Sequence, residues 1–211
     1  VMTHGGGSYN ATGDEALAGH AELERSGAVR AAETLRAAGL ACPTVSVGST
    51  PTALFARDLA GVTEVRAGVY VFMDLVMAGL GVCAAEDVAL SVLTSVIGHQ
   101  HGQGKIIVDA GWMAMSRDVG TSGHAVDQGY GAVADGTGKV IPDLIMTGAN
   151  QEHGILADRS GRPVDPKAYP IGTLLRILPI HACATAAQHD RYHVVSGGEE
   201  IDAVWPRFGG W

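Results

Sequence analysis

The chain has 211 residues, 46% of them hydrophobic and 17% charged, enough for one large domain or two small ones. A net charge of −8 with only 14 Lys and Arg argues against a nucleic-acid partner, and no apolar run approaches the roughly 20 residues that cross a bilayer. Three scattered cysteines, Cys42, Cys83 and Cys183, make no disulfide framework and fit a reducing cytoplasm.

Val1-Met2-Thr3-His4-Gly5 reads as the end of an apolar strand running into a glycine-rich loop, so the chain is expected to be the later part of a longer polypeptide. Asp14 to Leu40 is Ala-rich, with Leu17, Leu23, Val29 and Leu35 spaced for one helix or two short ones and Gly39 as a stop. Thr44 to Val47 is a short β-branched strand. Ser49-Thr50-Pro51 then starts a helix, with a hydroxyl cap and proline in the first turn. Glu64 to Met73 is the next strand, and Val88, Val92, Leu93 and Val96 predict an amphipathic helix over residues 84–97. After a boundary near Gly98 to Gly104 the texture becomes mainly β. Lys105 to Asp109, Ala132-Val133, Val140-Ile141, Gly154 to Leu156, Leu174 to Ile180 and Tyr192 to Val195 are strands separated by Gly-rich turns. The first half holds about three βα strands where a parallel barrel needs eight, so the remaining strands are expected from another segment.

His181-Ala182-Cys183 is the most informative triplet. If the run is extended, His181 and Cys183 point to one face and present an imidazole and a thiol, a pair that suits Zn²⁺. Two ligands leave positions open, as in a catalytic site. A buried cysteine beside a core-facing histidine is the competing reading. Val45 to Thr52 carries a glycine, Gly48, and hydroxyls, Ser49 and Thr50, where a strand meets a helix start, which is the arrangement of an anion site or of a plain capped helix. Arg66 to Tyr70, with Gly68, is a second such corner; Tyr70 could bond a phosphate or simply pack. His4 stands before a glycine-rich loop that ends in Tyr9, either at a site or in a core. Glu152-His153 could transfer protons or form a solvated turn. Asp109-Ala110-Gly111 and Met115 to Asp118 have no role that spacing decides.

Taken together, these segments resemble the D-serine dehydratase / D-threonine aldolase family, which is related to alanine racemase. The resemblance rests on Thr3-His4, Gly48 to Thr52, Arg66 to Tyr70 (with Ala67 in place of the usual proline), Asp109 to Gly111, Gln151 to Gly154 and His181 to Cys183, in the family's order. It implies α/β plus β architecture: the last part of a PLP-binding (β/α)8 TIM-type barrel over residues 1–98, then a mainly β domain over 99–211. It implies pyridoxal phosphate (PLP) on His4, Tyr9, Gly48, Ser49, Thr50, Gly68 and Tyr70. It also implies a divalent metal on His181 and Cys183, Zn²⁺ ahead of Mn²⁺ or Mg²⁺, and Glu152 and His153 lining the site. The implied reaction is lysis of a β-hydroxy D-amino acid. Dehydration to a keto acid and ammonia is favoured over retro-aldol cleavage to glycine and an aldehyde, and a non-catalytic fragment is the third reading. The implied assembly is a cytoplasmic homodimer. The family attaches PLP through a lysine on an early barrel strand; Lys105, Lys139 and Lys167 do not match it, so that lysine is expected on a preceding N-terminal part.

Overall fold

A computed structural model describes residues 1–197 and 200–209. The chain divides into two compact units, Val1–Val71 with Leu80–Ala84, and Phe72–Gly79 with Ala85–Trp211.

The first unit is built on α1 (Asp14–Ala37), a single helix of 24 residues. Its buried residues Leu17, Ala18, Ala21, Ala28 and Ala32 form one stripe at helical spacing. Asp14 and Glu15 sit in the first turn, where negative charge suits the helix dipole. Ala28 and Ala32 pack on Cys42, Val45 and Val47. The small alanines bring the helix close to the short strand β1 (Ser46–Val47) behind it. β1 pairs in parallel with β2 (Glu64–Val65) and, through Ser46, with Met2. Between them lies α2 (Thr50–Phe55), with Ser49 as its cap. The strand expected over Glu64 to Met73 ends at Val65, and Val69–Val71 forms a 3₁₀ turn instead.

The second unit is a closed barrel of six strands in the order β3-β4-β7-β6-β5-β8. These are β3 (Val92–Gln100), β4 (Lys105–Val108), β5 (Gly131–Asp135), β6 (Val140–Ala149), β7 (Gly154–Asp158) and β8 (Leu174–Pro179). Every pairing is antiparallel, and β3 closes the ring by bonding both β4 and β8. Closure removes the unpaired edges that an open sheet would expose. Val96, Ile106, Val108, Val133, Met146, Leu156, Leu175 and Ile177 fill the interior. On the outside, α3 (Leu75–Gly79) sets Leu75 against Ala132, Ala134, Leu178 and Ile180. After β8 come α4 (Ala182–Ala187) and a hairpin of β9 (Arg191–Val194) and β10 (Ala203–Pro206).

The helix expected over residues 84–97 is not formed. Ala85–Asp87 is a 3₁₀ turn and the rest is β3. Val92, Thr94 and Val96 are buried while Leu93 is 61% exposed, an alternation of period two that the i, i+4 spacing of the valines disguised. The β-branched Val92, Thr94, Val96 and Ile97 favour the extended form, and pairing on both sides decides it. A division between residues 98 and 99 therefore falls inside a barrel strand.

Candidate functional site

In the first unit, His4, Gly48, Ser49, Thr50 and Tyr70 gather at the start of α2. The Ser49 hydroxyl accepts from the Thr52 amide while the Thr52 hydroxyl accepts from the Ser49 amide, a reciprocal capping box. Ser8, carried by a 3₁₀ turn, meets Ser49 hydroxyl to hydroxyl at 3.2 Å. The Tyr70 amide donates to Thr50 Oγ1 at 3.2 Å, tying the Gly68–Tyr70 corner to the helix start. His4 Nδ1 stands 3.0 Å from the Gly48 carbonyl, and its ring lies 6.1 Å from that of Tyr9. Gly48 has φ 147°, and a side chain there would overlap the backbone of Arg66.

Glu24 underlies this corner. One oxygen accepts from Thr3 Oγ1 at 3.0 Å and from the Gly48 amide at 2.9 Å; the other accepts from Thr52 Oγ1 at 2.7 Å. The Gly48 amide is thus engaged within the protein, as are the amide and hydroxyl of Ser49. Thr50 Oγ1 accepts from Tyr70 and keeps its own proton to donate, and Tyr70 is half-exposed. Gly68 and Tyr70 lie exposed at this corner beside the buried Thr50 hydroxyl, and these are the groups there that could donate to a phosphate. Glu24 was not among the residues singled out from sequence, yet Leu17, Ala21, Glu24 and Ala28 share one helical stripe. An acid on the buried face of an Ala-rich helix was the signal.

In the second unit, His181 and Cys183 do come together, although not as a strand. His181 is extended, but Ala182 already begins α4, so Cys183 lies in a helical turn. β8 ends at Pro179, and the 182–187 segment is rich in alanine, which favours helix over strand. The helix start is fixed by Asp74, a buried carboxylate whose Oδ2 accepts from the Ala182 amide at 3.0 Å and whose Oδ1 accepts from the Met77 amide at 3.0 Å. One side chain so caps both α3 and α4. Burial pushes the Asp74 carboxyl above the usual range, and these amides oppose the rise.

His181 Nδ1 lies 2.6 Å from Asp118 Oδ2. Its side chain is 46% exposed. The His181 pKa is raised to about 9, first by hydrogen bonding to Cys183, then, against the opposing effect of burial, by the Asp118 carboxylate and the charges of both neighbours. Cys183 is free and exposed. A borderline imidazole and a soft thiol in contact, both reachable from solvent, fit a Zn²⁺-type ion with positions left open. Among the described residues, no group of three or more His, Cys, Asp or Glu side chains converges as a closed metal cage.

Glu152 and His153 occupy the turn between β6 and β7. Their recorded partners are local: Gln151 Nε2 donates to Glu152 at 2.9 Å, and Asn150 Nδ2 meets His153 Nε2 at 3.2 Å. The Asp109-Ala110-Gly111 corner packs on this turn so closely that a side chain on Gly111 would overlap the carbonyls of Asn150 and Gln151. Lys105 opens β4, Lys139 precedes β6, and Lys167 lies in a 3₁₀ turn, all in the second unit.

Residues 89–195 match the serine dehydratase domain, and residues 1–76 match the alanine racemase N-terminal domain. The chain belongs to the D-serine dehydratase / D-threonine aldolase family. It is 61% identical to D-threo-3-hydroxyaspartate dehydratase of Delftia sp. over 213 residues, covering all of this chain and 56% of that protein. A D-serine dehydratase of Dictyostelium discoideum is 33% identical over 79% of this chain and 43% of its own length. The chain thus spans about half the length of the curated relatives it matches. The solved structure of the Delftia enzyme superposes with a TM-score of 0.93 at 60% identity, over 100% of this chain and 55–56% of that one. Its solved variants include a cysteine-to-alanine mutant in the metal-free form and a histidine-to-alanine mutant, the two positions lying two residues apart. A D-threonine aldolase of Filomicrobium marinum superposes with a TM-score of 0.69 at 26% identity, over 97% of this chain and 52% of that one. No described helix is long and apolar enough to cross a membrane.

Proposed function

We propose that the protein containing this chain is a PLP- and metal-dependent lyase that dehydrates a β-hydroxy D-amino acid. The observation that carries the reading is the pairing of His181 with Cys183 in a chain 61% identical, end to end, to a D-threo-3-hydroxyaspartate dehydratase. D-threo-3-hydroxyaspartate would give oxaloacetate and ammonia; D-serine would give pyruvate and ammonia. In each case the water lost across Cα–Cβ is regained when ammonia is released.

The first unit, Val1–Val71 with Leu80–Ala84, is proposed as the closing part of a (β/α)8 barrel and the second unit as the metal-bearing β domain, so the boundary expected at 98/99 moves to the N-terminal side of β3. The parallel pairing of Met2, β1 and β2 supports the barrel reading. When bound, PLP supplies an electron sink for charge developing at the substrate α-carbon. Thr50, Gly68 and Tyr70 would hold its phosphate, with Ser49 and Gly48 shaping the corner and His4 and Tyr9 flanking it. The lysine that attaches PLP is assigned to the remainder of the longer protein, because Lys105, Lys139 and Lys167 all belong to the β unit.

When bound, a divalent metal supplies a Lewis acid for the departing β-hydroxyl. His181 and Cys183 would hold it; the imidazole–thiol donor set favours Zn²⁺ over Mn²⁺ or Mg²⁺. Glu152 and His153 are proposed to handle protons, and the close seat of their turn on Gly111 supports a fixed position. The full-length protein is proposed to work in the cytoplasm as a homodimer.

Retro-aldol cleavage is the second reading, favoured by the structural likeness to a D-threonine aldolase. A fragment without turnover is the third, favoured by the absence of a matching lysine. One assay separates them. The full-length protein, given D-threo-3-hydroxyaspartate, D-serine and D-threonine with PLP and Zn²⁺, is expected to release keto acid and ammonia. Glycine and aldehyde would establish the aldolase, and no product from any substrate would overturn the lyase reading.

A further inference from the structure

We infer that Asp118 is a positioning residue, which fixes the ring orientation and tautomer of His181 so that Nε2 is presented to the metal. The inference rests on the metal-site reading of His181 and Cys183 and adds to it a third side chain, one that does not itself bind the ion.

The geometry is direct. His181 Nδ1 and Asp118 Oδ2 are 2.6 Å apart although 63 residues separate them in the chain. An ionised carboxylate only accepts, so Nδ1 carries the shared proton and Nε2 is the nitrogen left to coordinate. Metal-ligating histidines are commonly held in this way, and loss of the outer partner typically costs 10–100-fold in metal affinity.

Asp118 does not reach His181 by chance of side-chain wandering. The segment from Ala114 to Gly120 is fastened on both sides to residues adjoining α4. Before Asp118, the Ala114 carbonyl meets His189 Nε2 at 2.9 Å, and Met115 is buried in the barrel core. After it, Gly120 packs so closely that a side chain there would meet Val76 and Ile180. The Asp118 amide donates to Ser116 Oγ at 3.2 Å, which bends the chain between these two anchors. The bracket thus holds the carboxylate against the residue that follows Ile180.

The test uses the full-length protein and Zn²⁺ alone, followed by chelator competition and by NMR of the His181 ring in the zinc-loaded state. Asp118→Ala is expected to weaken zinc binding 10–100-fold and to abolish the downfield Nδ1 proton signal of His181. Asp118→Asn, whose amide oxygen still accepts, is expected to retain most of both, which separates positioning from gross misfolding. Asp118→Ala that binds zinc within twofold of the parent, with the Nδ1 signal intact, overturns the inference. If His181→Ala and Cys183→Ala also bind zinc like the parent, the metal-site reading itself has failed. If they lose zinc while Asp118→Ala does not, only the positioning role has failed.

Discussion

Asp74 accepts a hydrogen bond from the Ala182 amide across 108 residues of chain, and the amide it holds is the one between His181 and Cys183. Its other oxygen caps α3 through Met77. A single buried carboxylate therefore sets where α4 begins and how the imidazole and thiol are presented.

Replacing Asp74 with alanine should leave two buried amides unpaired, at about 1–2 kcal/mol each. Asp74→Asn has one acceptor oxygen for two donors and should lose about half as much. Urea unfolding midpoints, converted with the measured slopes, check the order Asp74, Asn, Ala.

The raised pKa of His181 predicts a pH dependence of known sign. Below about pH 9 the imidazole is protonated in the metal-free protein, so zinc must displace a proton. Zinc affinity should gain about tenfold per pH unit from this group up to about pH 9 and then lose this dependence. Stability of the metal-free protein runs the other way. The folded pKa exceeds the ordinary value of 6.5, so the favourable contribution is fully present below 6.5 and is lost as pH rises through about 9. Chelator competition and thermal unfolding across that window measure the two trends.

Glu24 ties Thr3, Gly48 and Thr52 together beneath the proposed phosphate corner. Glu24→Ala should loosen that corner and raise the PLP dissociation constant about tenfold, equivalent to one hydrogen bond's worth of order. Absorbance titration of the apoprotein with PLP provides the readout. An unchanged constant would mean that the corner keeps its shape without the carboxylate.

Gly48→Ala is expected to be severe, because the residue combines φ 147° with backbone of Arg66 where a side chain would sit. A loss of at least about 2 kcal/mol in unfolding free energy is the expected result.

Much of this was legible in the sequence where local chemistry decides. The Ser49 cap with Pro51, the Ala-rich α1 and the Gly-bounded barrel strands all carry their signals within a few residues. The 84–97 segment misled because Val88, Val92 and Val96 satisfy a helical spacing by accident, whereas β3 exists because β4 and β8 flank it. His181 and Cys183 were singled out through a strand geometry that the chain abandons at Ala182, and they meet at a helix start instead. Asp74, Asp118 and Glu24 act across distances of 20 to more than 100 residues, and nothing local announces such a partner. Asp118 lay in the Met115 to Asp118 segment, which spacing left without a role, Glu24 showed as an acid on a buried helical stripe, and Asp74 left no trace.

The central claim is that His181 and Cys183 hold a metal on which turnover depends. The most direct measurement is elemental analysis of full-length Cys183→Ala beside its rate of keto acid formation from D-threo-3-hydroxyaspartate. The account predicts that metal content and rate fall together, with PLP content unchanged. A variant that keeps its full complement of metal and its activity would contradict it.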